Sequence, residues 1–458
     1  MKNILNTFLK NEHGGTAVYA AFFGLTIVAT GALSLDYGRH TLLRNQMQNR
    51  ADAGALAGAA QLDGRPGAQA RAEAVARGAT QAHSSLASDN SLLEVATVTF
   101  YSDRADPPTL AVDDSDSKYI EVIMADRTIA YMFTGILDKF SDSGSAPPKT
   151  ETVDARSVAM PRPYICEAPP LMICDPKEFN AADDLALPGA VGRQLALKPP
   201  PKSGSWAPGN YGLLALPDGS IGASSLMEAL AAVEPEDCYT LDVGTAPGVK
   251  TNKIQDGINA RFDLPGGLPY PAPNVIAYPR DPEVADPVAG QMGSGNWDRE
   301  GYWTAKHGGS LPMALDDATR YQVYLYELGE TFARDGRQTI HPVDDPATLP
   351  GSYTLVAPAT ADIPFDAAHP DDPTYDGEPS QTVASNGPAR RIAKVAVLEC
   401  LAEGVKGSHT YPTNGNYVEM FITEPVPNAP AGAIMGEIIR PITPSTSPDF
   451  HANVTLVE

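Results

Sequence analysis

Twenty-two consecutive residues without a charge, Gly14 to Leu35 (GGTAVYAAFFGLTIVATGALSL), constrain this chain more than any other feature. At 1.5 Å per residue such a run makes a helix about 33 Å long, enough to cross a hydrocarbon core of about 30 Å. Its polar members, Thr16, Tyr19, Thr26, Thr30 and Ser34, are hydroxyl residues that can bond back to the helix's own carbonyls. A secretory signal has a shorter apolar region, roughly 7–15 residues, closed by a small-x-small cleavage site. Here the run passes without interruption into more helix-forming sequence. We therefore read residues 14–35 as an uncleaved transmembrane helix, after a cytoplasmic segment at 1–13.

The continuation, residues 36–88, is helical but lean. In LRNQMQNRADAGALAGAAQL, positions 43–62, the middle holds alanine and glycine almost alone. At 3.6 residues per turn Leu43, Met47, Ala51, Gly54, Gly58 and Leu62 share one face, bulky at both ends and shallow in between. Gly54-x-x-x-Gly58, and Ala20-x-x-x-Gly24 within the span, are spacings that let two backbones approach closely. Each such glycine costs about 1 kcal/mol against alanine in an isolated helix, so packing must offset it. The expectation is an interface, covered by the chain's own globular part, by a partner helix, or by a second copy.

These same residues carry a resemblance. Gly14 and Gly15 ahead of the span, DYGR at 36–39 and MQNRADAGALAG at 47–58 together resemble the N-terminal segment of TadG-like proteins of the Flp (Tad, tight-adherence) pilus assembly system. Arg50 and Gly54 stand where that pattern usually has alanine. The resemblance implies an inner-membrane anchor, a structural role in pilus assembly, and other Tad/Flp components as partners. Pilin precursors cut by prepilin peptidase carry glutamate five residues after the cleaved glycine; counted from Gly15, that position is Ala20.

Past residue 88 the patterning changes. LLEVATVTFYSD, KYIEVIMAD and TETVDARSVAMPRP read as strands, and RTIAYMFTGILDKF between the last two reads as a short amphipathic helix. They form a small α+β unit over 89–163, with SDSGSAPPK as its loop. The remainder, 164–458, is a loop-rich, mainly β body, consistent with 40 glycines and 42 prolines in 458 residues. SSLMEALAAVEPEDC and TNKIQDGINARFD read as helices there. RYQVYLYEL, RRIAKVAVLEC, GNYVEMFITEP, AIMGEIIRPI and NVTLVE read as strands. The fold class is α+β: a long N-terminal helix, the small α+β unit, then the β-rich body.

The formal net charge of −23 lies past residue 62: the first 62 residues carry five basic side chains against three acidic ones, and the remainder carries 28 basic against 53 acidic, or −25. An acidic body repels phosphate backbones, which argues against nucleic acid as a partner. Four cysteines, Cys166, Cys174, Cys238 and Cys400, imply two disulfides and an oxidising compartment, here the periplasm. The prolines in CEAPPLMIC favour pairing Cys166 with Cys174, leaving Cys238 for Cys400. A seven-residue gap without a histidine pair does not fit zinc.

Three stretches imitate chemistry. DDSDS, Asp113 to Ser117, matches the Asp-x-Ser-x-Ser metal signature of von Willebrand A domains, but a strand follows it where a helix is needed. VGTAPGVKT, Val243 to Thr251, falls one residue short of a phosphate-binding loop, with Val249 before Lys250. The acidic stretches HPVDDPATLPG and HPDDPTYDGE lack the twelve-residue spacing of an EF-hand. Gly-x-Ser-x-Gly and His-Glu-x-x-His are missing, and His307, His341, His369, His409 and His451 are scattered. No catalytic, cofactor or metal residue is expected. The expected function is a single-pass, membrane-anchored accessory component of pilus assembly. The competing readings are a tethered envelope hydrolase or carbohydrate-binding protein, and a shed adhesin or minor pilin.

Overall fold

The computed structural model describes residues 15–84, 86, 92–133, 150–200, 204–232, 235, 238–262, 277–341, 343, 347, 349, 351–357, 390–427 and 432–457. The chain divides into two compact units, 1–162 with 452–458, and 163–451. The seven C-terminal residues thus leave the body in which the sequence reading placed them. The helical extension and the small α+β unit, read as separate pieces, share one core.

The first unit is built on α1, Gly15–Ala59, unbroken over 45 residues. Its N-terminal half is exposed and its C-terminal half is the spine of a core. Within the exposed half Thr26, Thr30 and Ser34 donate to the carbonyls of Phe22, Thr26 and Thr30 at 2.7–2.9 Å. A turn carrying positive-φ Gly64 and Gly67 reverses the chain into α2, Ala68–Thr80. Short strands β1 (Ala82–His83) and β2 (Leu92–Leu93) pair with each other. Beneath the helices an antiparallel sheet joins β3 (Val95–Tyr101), β4 (Tyr119–Met124) and the first part of β7 (Arg156–Ile165). β4 turns Ile120, Val122 and Met124 into the helical core. Strands β5 (Arg127–Ala130) and β6 (Thr150–Val153) form a separate antiparallel pair.

That pair corrects one expectation. Residues 127–130, read as the start of an amphipathic helix, are a strand because Thr150–Val153 completes their ladder; residues 134–140 of that reading, and the loop at 141–149, lie outside the described residues.

The second unit centres on a five-stranded sheet in the order β8 (Met172–Cys174), β15 (Ile392–Leu398), β17 (Tyr417–Ile422), β18 (Ile434–Ile442), β9 (Gln194–Lys198). β8 runs parallel to β15 and the other pairs are antiparallel. Helices α3 (Ala223–Ala231) and α4 (Thr251–Ala260) pack together through Leu226, Leu230, Ile254 and Ile258. Short strand β10 (Tyr239–Thr240) pairs with the end of β7, and β11 (Asp242–Gly244) pairs with β16 (Thr410–Pro412). A second, aromatic core gathers α5 (Arg299–His307), α6 (Arg320–Glu327) and the ladder of β12 (Phe332–Asp335), β13 (Gln338–Ile340) and β14 (Thr354–Val356). The last strand, β19 (Phe450–Leu456), begins in this unit and ends in the first.

RYQVYLYEL, expected as a strand, is α6. Thr319 and Gln322 close a capping box at its start, and all eight of its residues are buried. With no exposed face, its tyrosines and aliphatics mimic a strand's alternation.

Candidate functional site

The turn where α1 leaves its apolar run is held by its own polar residues. Asp36 is buried, and its two carboxylate oxygens accept the backbone amides of Met132 (3.0 Å) and Phe133 (2.9 Å). Three residues on, Arg39 donates to the Ala130 carbonyl at 3.3 Å, and His40 lies 3.7 Å from Glu151. Tyr131 donates its hydroxyl to the same Glu151; burial first, and then that carboxylate, push its phenol up to about 12. Asp36 and Arg39, the two charged residues of the DYGR motif, therefore clamp the end of the β5–β6 pair against α1.

The lean face above the clamp is also filled from within. Leu43, Met47, Ala51, Gly54, Gly58 and Leu62 are all buried, facing α2 and the sheet. A Cβ at Gly54 would stand 2.5 Å from Thr80 Cγ2 and 3.2 Å from the Ala76 carbonyl. At Gly58 it would stand 3.1 Å from the Ala72 carbonyl and collide with Ile120 Cδ1. The two glycines let α2 approach until alanine meets alanine. The amides of the NQMQNR stretch complete the seam: Gln46 accepts from Ser84 at 2.9 Å, and Gln48 donates to the Arg156 carbonyl at 2.9 Å. Along the exposed half, by contrast, a Cβ at Gly24, Gly31 or Gly38 would meet nothing within 4 Å.

DDSDS serves this unit as a cap. Gly67, at the start of α2, has no capping side chain, and Asp114 supplies one from a distance, accepting the amides of Gly67 (2.7 Å) and Gln69 (2.9 Å). Those two bonds hold its carboxyl below the usual range. Among the described residues no three His, Cys, Asp or Glu side chains are grouped to hold a metal ion.

In the second unit the cysteines pair as Cys166–Cys238 and Cys174–Cys400, correcting the expected Cys166–Cys174 and Cys238–Cys400. Strand pairing is the cause. Tyr239 lies opposite Ile165, bringing Cys238 beside Cys166, and Leu398 lies opposite Cys174, bringing Cys400 within reach. In VGTAPGVKT the amides of Thr245, Ala246 and Gly248 are bound to the His409, Leu213 and Gly209 carbonyls, so they are not free to cradle a phosphate. Of the acidic stretches, HPDDPTYDGE and most of HPVDDPATLPG lie outside the described residues, as does His369.

The arrangement most like catalytic chemistry was not legible beforehand. Glu327 accepts from Tyr302 Oη (2.6 Å) and Tyr278 Oη, and His307 Nε2 lies 2.9 Å away. The carboxylate is fully buried and the imidazole nearly so. Burial, then the Glu327 charge, hold both phenols well above their ordinary range, so they remain donors. A buried carboxylate satisfied in this way closes a core. Nearby, Arg391 lies over the rings of Phe421, Phe262 and Tyr324, and Arg320 pairs with Glu437 at 2.9 Å. A cleft of about 460 Å³ elsewhere in the unit, bounded by Pro170, Leu216, Glu228 and Tyr239, gathers one carboxylate and no histidine.

The geometry thus defines a helix long and apolar enough to cross a membrane, continuing without a break into the core of a folded unit. Residues 14–61 match the family model described as "Putative Flp pilus-assembly TadE/G-like", so over this segment the chain is similar to TadE/G-like proteins. The matched stretch coincides with α1 to within two residues at each end. No curated protein and no solved structure matches the chain.

Proposed function

We propose that this protein is a structural, non-enzymatic accessory component of the Flp/Tad pilus assembly system, anchored by a single span in the bacterial inner membrane with its second unit in the periplasm. The carrying observation is the coincidence of the Tad-like match with one helix that is exposed along its apolar half and built into a core along the rest. The two disulfides support a periplasmic body, since such bonds persist in oxidising compartments. Long domains are translocated largely regardless of flanking charge, so the near-balanced basic residues around the span do not oppose this orientation.

On this reading the surface offered to partner helices is the exposed half of α1, which holds the Ala20-x-x-x-Gly24 spacing, and not the Gly54–Gly58 face. Gly54 and Gly58 are occupied by α2 and β4. Gly24 and Gly31, seven residues apart within the apolar run, remain open, and small residues in a bilayer allow close helix association. A photoreactive residue at Gly31, activated in cells that assemble the pilus, tests this. The reading expects crosslinks to other Tad components or to a second copy of this chain. Crosslinks to lipid alone would contradict it.

A further inference from the structure

At one place the fold reaches back toward the apolar span. Ala32 is 9% exposed and Asp36 3%, whereas Leu33, Leu35 and Tyr37 around them are 48, 57 and 72% exposed. Ala32 and Asp36 stand one turn apart on one helix face. Residues 130–133 lie along that face, tied by the Met132 and Phe133 amides on Asp36 and by Arg39 on the Ala130 carbonyl. Asp36 is the first charged residue after the apolar run, so the end of β5 sits at the depth where hydrocarbon gives way to headgroups. There Met132 is 66% exposed. A thioether facing water gains nothing, while at a lipid interface its burial is favourable. Tyr37, on the same turn, is of the aromatic type that prefers this depth.

We infer that the end of β5 is a second membrane contact, in which Met132 enters the lipid interface beside α1 and Asp36 holds it there. This rests on the reading that α1 spans the bilayer. A lone helix can rotate about its own axis; a helix with a second contact to one side cannot, so the clamp fixes which face of the first unit points along the membrane.

The test is tryptophan quenching by brominated phosphatidylcholines, with the full-length protein reconstituted in vesicles and bromines placed shallow or deep. Wild type supplies the background from Trp206, Trp297 and Trp303. Phe22→Trp reports the span, Met132→Trp the inferred contact, and Val112→Trp a distant exposed site. Val112 lies two residues from Asp114, which caps α2 near the far end of α1, about 35 Å along the helix from Asp36. Deep bromines should quench Phe22→Trp, and shallow bromines should quench Met132→Trp about twofold above background, with Val112→Trp unaffected. Quenching of Phe22→Trp alone would overturn the second contact and leave the span intact. Failure of Phe22→Trp would overturn the span itself. Photolabelling of the unsubstituted protein by a headgroup-proximal diazirine lipid gives a readout without mutation: the Met132 peptide should be labelled and the Val112 peptide not. Equal labelling of the two would contradict the inference.

Discussion

The Asp36 carboxylate and the Met132 amide meet at 3.0 Å across ninety-six residues of sequence, and the second carboxylate oxygen takes the next amide, of Phe133, at 2.9 Å. One side chain thereby fastens the end of a strand to the turn where the helix leaves its apolar run. Asp36→Ala leaves two amides without their acceptor. At roughly 1–3 kcal/mol for each such loss, the variant should be about 3 kcal/mol less stable in urea titrations of the detergent-solubilised protein. Asp36→Asn keeps one carbonyl acceptor and should lose about half as much. An alanine variant as stable as wild type would contradict this role.

The disulfide connectivity is checked by peptide mapping without reductant, which should recover Cys166 with Cys238 and Cys174 with Cys400. The bonds close loops of 72 and 226 residues. On the loop-entropy argument, removing the longer closure with Cys174→Ser and Cys400→Ser costs up to about 5 kcal/mol, and removing the shorter about 4. Recovery of a Cys166–Cys174 peptide would overturn the strand pairing that sets these partners.

Asp114 gives the first unit an acid dependence. Its carboxyl is held low by the Gly67 and Gln69 amides, so the stabilisation is complete above the unfolded-state pKa near 4 and is lost as pH falls through the lower folded value. Protection of the Gly67 and Gln69 amides, measured against their intrinsic exchange rate at each pH, should fall below about pH 4 in wild type and already be low at neutral pH in Asp114→Ala. Slow exchange in the variant would show that α2 needs no distant cap.

Lys198 also makes stability rise with pH, but because its charged form is the costly one. It is buried in β9 with its ammonium donating to the Gly432 carbonyl, and burial lowers its pKa to about 8. Below pH 8 both folded and unfolded chains are protonated and the fold bears the full cost of the buried charge. Between 8 and about 10.5 only the unfolded chain holds the proton, so stability rises with pH. Lys198→Met should therefore raise neutral-pH stability, by up to roughly 3 kcal/mol. The gap to wild type should narrow by pH 10. A variant that melts lower at pH 7 would contradict it.

What the sequence disclosed follows from which forces were local. The apolar helix long enough to cross a membrane, its unbroken continuation and the burial of the Leu43–Leu62 face are set by helical length and periodicity, which a single segment contains. So are the strands of IEVIM and AKVAVL, which alternate or run apolar. What covers the Gly54–Gly58 face depends on α2 returning along α1, which periodicity leaves open. Cysteine pairing depends on β8 lying parallel to β15, a contact made across more than two hundred residues, and nearness in CEAPPLMIC misled there. RYQVYLYEL reads as a strand and folds as α6 because an entirely buried helix has no polar face to set its period. The His307–Glu327 contact, between α5 and α6, carries no sequence signature.

One helix divides at Asp36: past it α1 packs within its own unit, and before it lies the exposed apolar run that we propose for membrane and partners. Gly58→Leu and Gly31→Leu, compared for melting temperature and for crosslinked complexes in the same preparations, test it most directly. Overpacking at Gly58, where even a Cβ collides with Ile120, should cost about 3 kcal/mol and lower the first unit's melting temperature by roughly 8 °C. Gly31→Leu should leave melting unchanged and reduce crosslinked complexes severalfold. A Gly58→Leu variant that melts like wild type while losing its complexes would contradict this division, because the upper face would then belong to a partner.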